Sequence, residues 1–159
     1  MIRVGFGFDV HPLRSGRPLV LGGVTLPSDL GLDGHSDADV LAHAVAEALL
    51  GALALGDLGR HFPDSDARYR GISSLALLGE VRALVQARGG RPVNVDATVL
   101  AQAPRLAPYL PEMGQRLADT LGLPAEAVSV KAKSPEGLGL VGRREGIAAM
   151  AVAAVEVAG

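Results

Sequence analysis

Two short stretches hold three of the chain's four histidines: Gly5-Phe6-Gly7-Phe8-Asp9-Val10-His11-Pro12 and Gly34-His35-Ser36-Asp37-Ala38-Asp39-Val40-Leu41-Ala42-His43. Side chains of an extended segment alternate between faces, so Asp9 and His11 point one way and Val10 the other. Pro12 is expected to stop the strand and leave the pair at its end. The second stretch reads as a helix start, with Ser36 and Asp39 as a capping box and His43 about two turns inside. Asp39, His43 and Glu47 recur at i, i+4 and share one helical face, apart from the apolar stripe of Leu41, Ala44, Val45, Ala48, Leu49 and Ala52. Where that face meets the strand end, Asp9, His11 and His43 converge.

Two imidazoles and one carboxylate leave one tetrahedral position open, the arrangement of a catalytic rather than a structural zinc. A chain without cysteine cannot build the closed, thiolate-rich alternative. Taken singly, each histidine equally suits a strand cap or a half-buried hydrogen-bonded residue. Their clustering with aspartates, between glycines that admit close backbone approach, points to a metal.

The elements that must position these groups follow from periodicity and punctuation. Ile2 to Phe8 reads as a first strand. Leu19-Val20-Leu21 and Val24-Thr25-Leu26, set among Gly16, Pro18, Gly22, Gly23 and Pro27, read as a surface hairpin. A helix is expected from Ser36 to Leu55, then a long loop from Gly56 to Asp66 suited to a lid. Ser73 to Arg88 carries apolar residues at helical spacing before Gly89-Gly90. Val93 to Leu100 alternates, with Val93, Val95, Ala97 and Val99 on the buried side. A Pro-punctuated turn, Ala101 to Pro108, leads to a helix from Tyr109 to Leu121 that ends at Gly122. Val128 to Ala132 and Ile147 to Val157 are the last strands. The final strand has almost no polar alternation, so both its faces need cover. With three helices in the chain, either its own helices sandwich it or a neighbouring subunit covers one face, and a symmetric oligomer is the favoured expectation. Between these strands, Lys133 to Gly146 is rich in glycine and charge; it suits a hairpin connection or a phosphate-binding loop, and matches no P-loop.

Composition excludes several classes. The 159 residues suffice for one well-buried core and are too few for two ordinary domains. Absence of cysteine removes disulfide and thiol chemistry. A net charge of -2 without a dense Lys/Arg run argues against nucleic acid as a partner. The residues after Arg3 do not form a secretory signal, and Val40 to Leu55 is short and interrupted for a bilayer span. No membrane partner and a cytoplasmic location are expected.

Several motifs recur together in one known family: Gly7-Phe8-Asp9-Val10-His11, the stretch Gly34 to His43, Leu55-Gly56-Asp57 with Phe62-Pro63-Asp64, Asn94-Val95-Asp96 with Thr98, Ala101-Gln102-Ala103-Pro104, Val130-Lys131-Ala132, and Gly142-Arg143 with Glu145-Gly146-Ile147-Ala148. In this combination and order, over essentially its whole length, the chain resembles the 2-C-methyl-D-erythritol 2,4-cyclodiphosphate synthases, zinc enzymes of the non-mevalonate isoprenoid pathway. The resemblance implies an α/β protein of the α+β type: a single two-layer domain, residues 1–159, with a mixed β-sheet, helices on one face, and the sheets of a homotrimer facing a three-fold axis. It implies a CDP-activated substrate, 4-diphosphocytidyl-2-C-methyl-D-erythritol 2-phosphate, whose 2-phosphate attacks the β-phosphate and expels CMP, in active sites between subunits.

Residue by residue, the resemblance makes Asp9, His11 and His43 the zinc ligands. It makes Glu136 a ligand, with substrate phosphates, of a second divalent ion, Mg2+ or Mn2+. His35 and Ser134 become the groups stabilising the transition state. Substrate contacts are implied for Asp9, Val10 and His11; for His35 and Ser36 at a helix N-terminus; for Asp57, Leu58 and Gly59 on the methylerythritol hydroxyls; and for Phe62, Pro63, Asp64, Ser65 and Asp66 in a loop over the substrate. Ala101, Gln102, Ala103, Pro104, Arg105, Leu106 and Ala107 are implied to form the cytosine pocket. Lys133, Ser134, Pro135, Glu136, Leu140 and Arg143 complete the set. The sequence departs from the family pattern at Lys133-Ser134-Pro135, where consecutive threonines are common, at Glu47 in place of an aspartate, and at Leu140 in place of a phenylalanine. Metal and phosphate features alone also suit a hydrolase that admits water, or a metal-stapled binding protein without catalysis.

Overall fold

The computed structural model describes residues 1–159. Strand β1 covers Ile2–Ser15, β2 Leu19–Leu21, β3 Val24–Leu26 and β4 Leu30–Leu32; helix α1 covers Val40–Ala52, the short α2 Leu58–His61 and α3 Ser74–Ala87. Strand β5 (Gly90–Leu100), α4 (Leu110–Leu121), β6 (Val128–Lys133), the single turn α5 (Gly139–Gly142) and β7 (Gly146–Val157) complete the chain. The main sheet has the order β4-β1-β7-β5-β6, antiparallel except for the parallel pair β5 and β6, so it is mixed as expected.

Strand β1 does not stop at Pro12. It pairs with β7 up to Pro12↔Gly146 and with β4 from Leu13↔Leu32 onward. Pro12 therefore sits where the strand changes partner, at the place where a missing N–H costs least. Helix α1 likewise begins later than the sequence suggests. Ala38 adopts φ 57°, which breaks the helical path, and Asp39 is the cap, its Oδ1 accepting from Ala42 N at 3.0 Å. His43 thus lies in the first turn.

Strand β5 carries a bulge: Pro92 pairs with Val155 and Asn94 with Ala154, leaving Val93 as the extra residue. Pro92 and Val95 are buried and Val93 only half-buried, so the expected alternation holds only from Val95 onward. The β2–β3 hairpin forms where expected, but Leu19, Leu21, Val24 and Leu26 are buried in the core. Gly122, at φ 67°, ends α4 as predicted.

The helices cover one face only. Gly5 and Gly7 form the floor on which α1 rests: a Cβ at either would lie 1.9 Å from a carbonyl oxygen of α1, Ala48 or Ala44 respectively. The core joins α1, α3 and α4 to Ile147, Ala149, Ala151, Ala153 and Val155 of β7. On the opposite face Val4, Phe6, Phe8, Val10 and Val152 stand exposed, Val4 at 65% and Phe6 at 63%. Within one chain the sheet is covered on one side only.

Strand directions set the place of the site. β1, β5 and β6 point one way and β7 the other, so Asp9 to Pro12, Ala101 to Ala107, Lys133 to Glu136 and the start of β7 all lie at one end of the sheet.

Candidate active site

Asp9 and His11 leave β1 on its helix-covered face, and the close seat of α1 on Gly7 brings His43 to them. Asp9 Oδ2 stands 2.9 Å from His43 Nδ1 and 3.2 Å from His11 Nε2. The two rings are 5.5 Å apart, and one ligand atom from each of the three residues falls within a 4.8 Å cluster. The outer nitrogens are engaged: His11 Nδ1 meets Asp33 O at 2.9 Å, and His43 Nε2 meets Ser74 Oγ at 2.8 Å and Ser36 Oγ at 3.3 Å. Each imidazole therefore has one nitrogen free to face Asp9.

Electrostatics fit a cation. Burial pushes the Asp9 carboxyl up, but the hydrogen bonds and charge of His11 and His43 outweigh it and hold the group well below the usual carboxylate range. The hydrogen bond to Asp9 raises His11 above its ordinary value against the opposing effect of burial. Burial raises Glu47 too, with Asp57 and Asp9 adding to it and the Leu58 N–H opposing. A carboxylate kept ionised between two imidazoles is a donor set for a borderline divalent cation, and the three residues can hold one.

The cluster lies in a cavity of about 300 Å³ lined also by Gly34, His35, Ser36, Glu47, Leu58, Gly59, Phe62, Asp64, Tyr69 and Leu77. Glu47 accepts from Leu58 N at 3.1 Å and so fixes the start of α2, while Asp57 caps that helix by accepting from Arg60 N at 2.9 Å. Asp57, Pro63, Ser65 and Asp66 do not line the cavity, although the Asp66 carbonyl is 3.4 Å from His35 Nε2.

One element of the sequence reading needs correction. Asp39 is fully buried and turned from the cluster; its oxygens accept from Gly22 N at 2.9 Å and Gly23 N at 2.7 Å besides Ala42 N. The end of α1 is thus already capped by a carboxylate, and His35 and Ser36, which lie before the helix, border the cavity from a loop.

Most of the remaining predicted residues fall in two other cavities. Ala101, Gln102, Pro104, Arg105, Leu106, Ala107, Lys133 and Ser134 line a second space of about 300 Å³, and Gln102 Oε1 accepts from Gly137 N at 2.9 Å. Ala103 precedes Pro104 across a cis bond there. Val10, His11, Leu140 and Arg143 border a third, of about 390 Å³. Pro135 and Glu136 line none of these, and Glu136 is exposed at φ 56°.

The first two cavities share no residue. The sheet register places Val10 level with Ala148, Leu100 and Lys133 across three strand spacings, a span of roughly 14 Å. A single chain therefore does not bring Ser134 to Asp9.

Residues missed from sequence also shape the site. The Arg17 guanidinium donates to the carbonyls of Leu32, Gly34 and Ser36 at 3.1, 3.3 and 3.1 Å and so fixes the loop that carries His35. Tyr69 stacks edge-on against Phe62 at 5.3 Å. The Asp33 carbonyl and the Ser74 hydroxyl meet the outer ring nitrogens of His11 and His43, and Asp37 holds Ser74. These roles depend on tertiary contacts between distant segments, and only the position of Asp37 inside the His35-to-His43 motif was a signal.

Residues 2–156 match the model of the YgbB family. The chain is 58% identical over 157 residues, 99% of its length and 100% of the relative, to the 2-C-methyl-D-erythritol 2,4-cyclodiphosphate synthase of Syntrophomonas wolfei. To that of Laribacter hongkongensis it is 60% identical over 151 residues, covering 95% of this chain and 93% of the relative. Among solved structures, a 2C-methyl-D-erythritol-2,4-cyclodiphosphate synthase in its CDP-bound form superposes with a TM-score of 0.89 at 37% identity, over 97% of this chain and 100% of that one. The bifunctional IspDF of Campylobacter jejuni gives a TM-score of 0.95 at 39% identity, with 99% of this chain matching 43% of that longer one. With family model, full-length relatives and fold in agreement, the chain belongs to the YgbB family, together with these cyclodiphosphate synthases.

Proposed function

We propose that the protein converts 4-diphosphocytidyl-2-C-methyl-D-erythritol 2-phosphate to 2-C-methyl-D-erythritol 2,4-cyclodiphosphate and CMP, the step for which its relatives are named. A 2-phosphate oxygen forms a bond to the β-phosphorus, the bond from that phosphorus to the α–β bridging oxygen breaks, and CMP leaves with the bridging oxygen. The observation that carries this reading is the Asp9–His11–His43 cluster opening into a cavity beside His35 and Ser36.

Phosphoryl transfer asks little covalent chemistry of a protein; it asks for alignment of nucleophile and leaving group and for neutralisation of charge. Asp9, His11 and His43 would hold zinc, which would supply a Lewis acid for the attacked phosphate. His35 offers an imidazole to the phosphates from a loop that Arg17 holds, while Leu58 and Gly59, fixed by Glu47, supply backbone to the methylerythritol hydroxyls. Ala101 to Ala107 take the cytosine, Ser134 donates its hydroxyl to the charge that grows on the β-phosphate, and Glu136 would help hold a second ion, Mg2+ or Mn2+, whose preference is for hard oxygen ligands.

These roles require Ser134 and Asp9 at one substrate, although a single chain separates them. A homotrimer with sites shared between neighbouring subunits resolves the separation, and the uncovered apolar sheet face supports it. The test strips the protein of metal and follows CMP release from the CDP-substrate. Zinc with magnesium should restore release, and His43→Ala should bind no stoichiometric zinc and stay inactive with its helical signal intact. Full turnover by the metal-stripped protein, or by His43→Ala, would sink the reading.

A further inference from the structure

A second line of contacts runs behind His43. Ser74, the first residue of α3, stands with its Oγ 2.8 Å from His43 Nε2. The same hydroxyl makes a short hydrogen bond to Asp37 Oδ1, and Asp37 Oδ2 accepts from Ser74 N at 3.0 Å. Ser74 is 1% exposed, which leaves no room for water to compete.

The inventory of donors fixes the direction of this chain. An ionised carboxylate can only accept, and a hydroxyl has one proton to give. Ser74 gives that proton to Asp37, so toward His43 it can only accept, and the hydrogen must lie on Nε2. In a neutral imidazole the lone pair is then on Nδ1, 2.9 Å from the ionised Asp9 Oδ2, and two acceptors so close face each other only across a shared cation; in metal-free protein Nδ1 must instead donate to Asp9. Ser36 Oγ, the more distant partner at 3.3 Å from Nε2, accepts from Ala38 N at 3.1 Å and has Ser74 Oγ, 3.5 Å away, as an acceptor for its own proton, which leaves Nε2 a donor to both hydroxyls. A backbone carbonyl does the corresponding work for His11, at Asp33 O.

We propose that Asp37 and Ser74 form a positioning relay which fixes the tautomer and ring orientation of His43 as a metal ligand and couples the start of α3 to the metal centre. The proposal rests on the reading of Asp9, His11 and His43 as that centre. Neither residue touches the substrate; both act through His43. The carboxylate charge, passed through one hydroxyl, also makes the ligating nitrogen a better electron donor, as partners behind metal-bound histidines generally do.

Two measurements on the full-length protein test it. Long-range proton–nitrogen NMR of the zinc-loaded protein reads directly which His43 nitrogen carries the hydrogen and which the metal. Zinc affinity comes from competition with a chromophoric chelator. The expected results are Nε2–H with the metal on Nδ1 in the wild type, and a zinc affinity weakened about 10- to 100-fold in Ser74→Ala. Asp37→Asn should weaken zinc in the same direction, and Ser74→Thr, which keeps the hydroxyl, should restore most of the affinity. An Nδ1–H tautomer in the wild type overturns the relay even where a variant fails to fold. Wild-type zinc affinity in a folded Ser74→Ala overturns it too, while leaving the metal centre standing. A wild type that binds no zinc removes the metal centre and the relay together.

Discussion

Asp9 is held ionised and His11 is held easy to protonate, and the two shifts have opposite consequences for pH. A carboxyl lowered in the folded state contributes stability above its ordinary value of about 3.9, which is lost as pH falls through the lowered one. A raised imidazole contributes stability below about 6.5, which is lost as pH rises through the raised value. In metal-free protein the stability margin of wild type over His11→Asn should therefore be largest between about pH 4 and 6.5 and shrink in more alkaline buffer. Zinc reverses the trend, because the metal needs the neutral imidazole and displaces its proton. Melting curves of both proteins, with and without zinc, check the sign. Ser134→Ala should lower kcat by on the order of 10² to 10³ with little change in KM, whereas Ser134→Thr should be nearly neutral; steady-state kinetics decide, and an unchanged kcat in Ser134→Ala removes the hydroxyl from the chemistry. At this scale the convergence of Asp9, His11 and His43 into a cluster that could hold a metal was legible, because two-residue spacing on a strand and an apolar run after His35 fix where side chains point. Arg17, Asp33 and Ser74 were not, since each acts through a contact with a segment far away in sequence.

Elements were legible where local chemistry decides them. Gly122 ends α4, Gly89 follows α3, and the β2–β3 hairpin turns at Gly22 and Gly23, each at positive φ. Boundaries failed where tertiary partners overrule local signals. Pro12 reads as a stop but falls where β1 passes from β7 to β4. Ser36 reads as a cap, but the left-handed turn at Ala38 hands that role to Asp39. Val93 reads as inward, and the bulge turns it aside. The packing of α1 on β1 also makes a prediction. A methyl group at Gly7 would meet Ala44 O at 1.9 Å, so Gly7→Ala must lift the helix that carries His43 from the strand that carries Asp9 and His11. We expect a loss on the order of 3 kcal/mol in stability, typical of overpacking, with a zinc affinity weakened in parallel. Denaturant titration and chelator competition would show unchanged values for both if α1 can slide without cost.

For the whole molecule the decisive feature is a sheet dressed on one face. The sequence announced it through β7, apolar on both sides; β1 adds Val4, Phe6, Phe8 and Val10 on the bare face, where they flank Val152. What spacing and periodicity could not place is the far half of the proposed site, because Ser134 and the cavity proposed for cytosine lie about three strands from Asp9 within one chain. Phe6→Glu, on the exposed face and away from every catalytic side chain, should shift sedimentation from trimer to monomer and remove activity with it; a fully active monomer would contradict the shared site. In the proposed reaction the substrate's own phosphate, not water, attacks the β-phosphorus. Turnover of the CDP-substrate in water enriched in oxygen-18, followed by mass spectrometry of the methylerythritol product, tests it most directly. Attack by the internal phosphate gives a cyclic diphosphate with no oxygen-18 incorporated, whereas a linear bisphosphate carrying one labelled oxygen would show that the site is a hydrolase and overturn the proposed function.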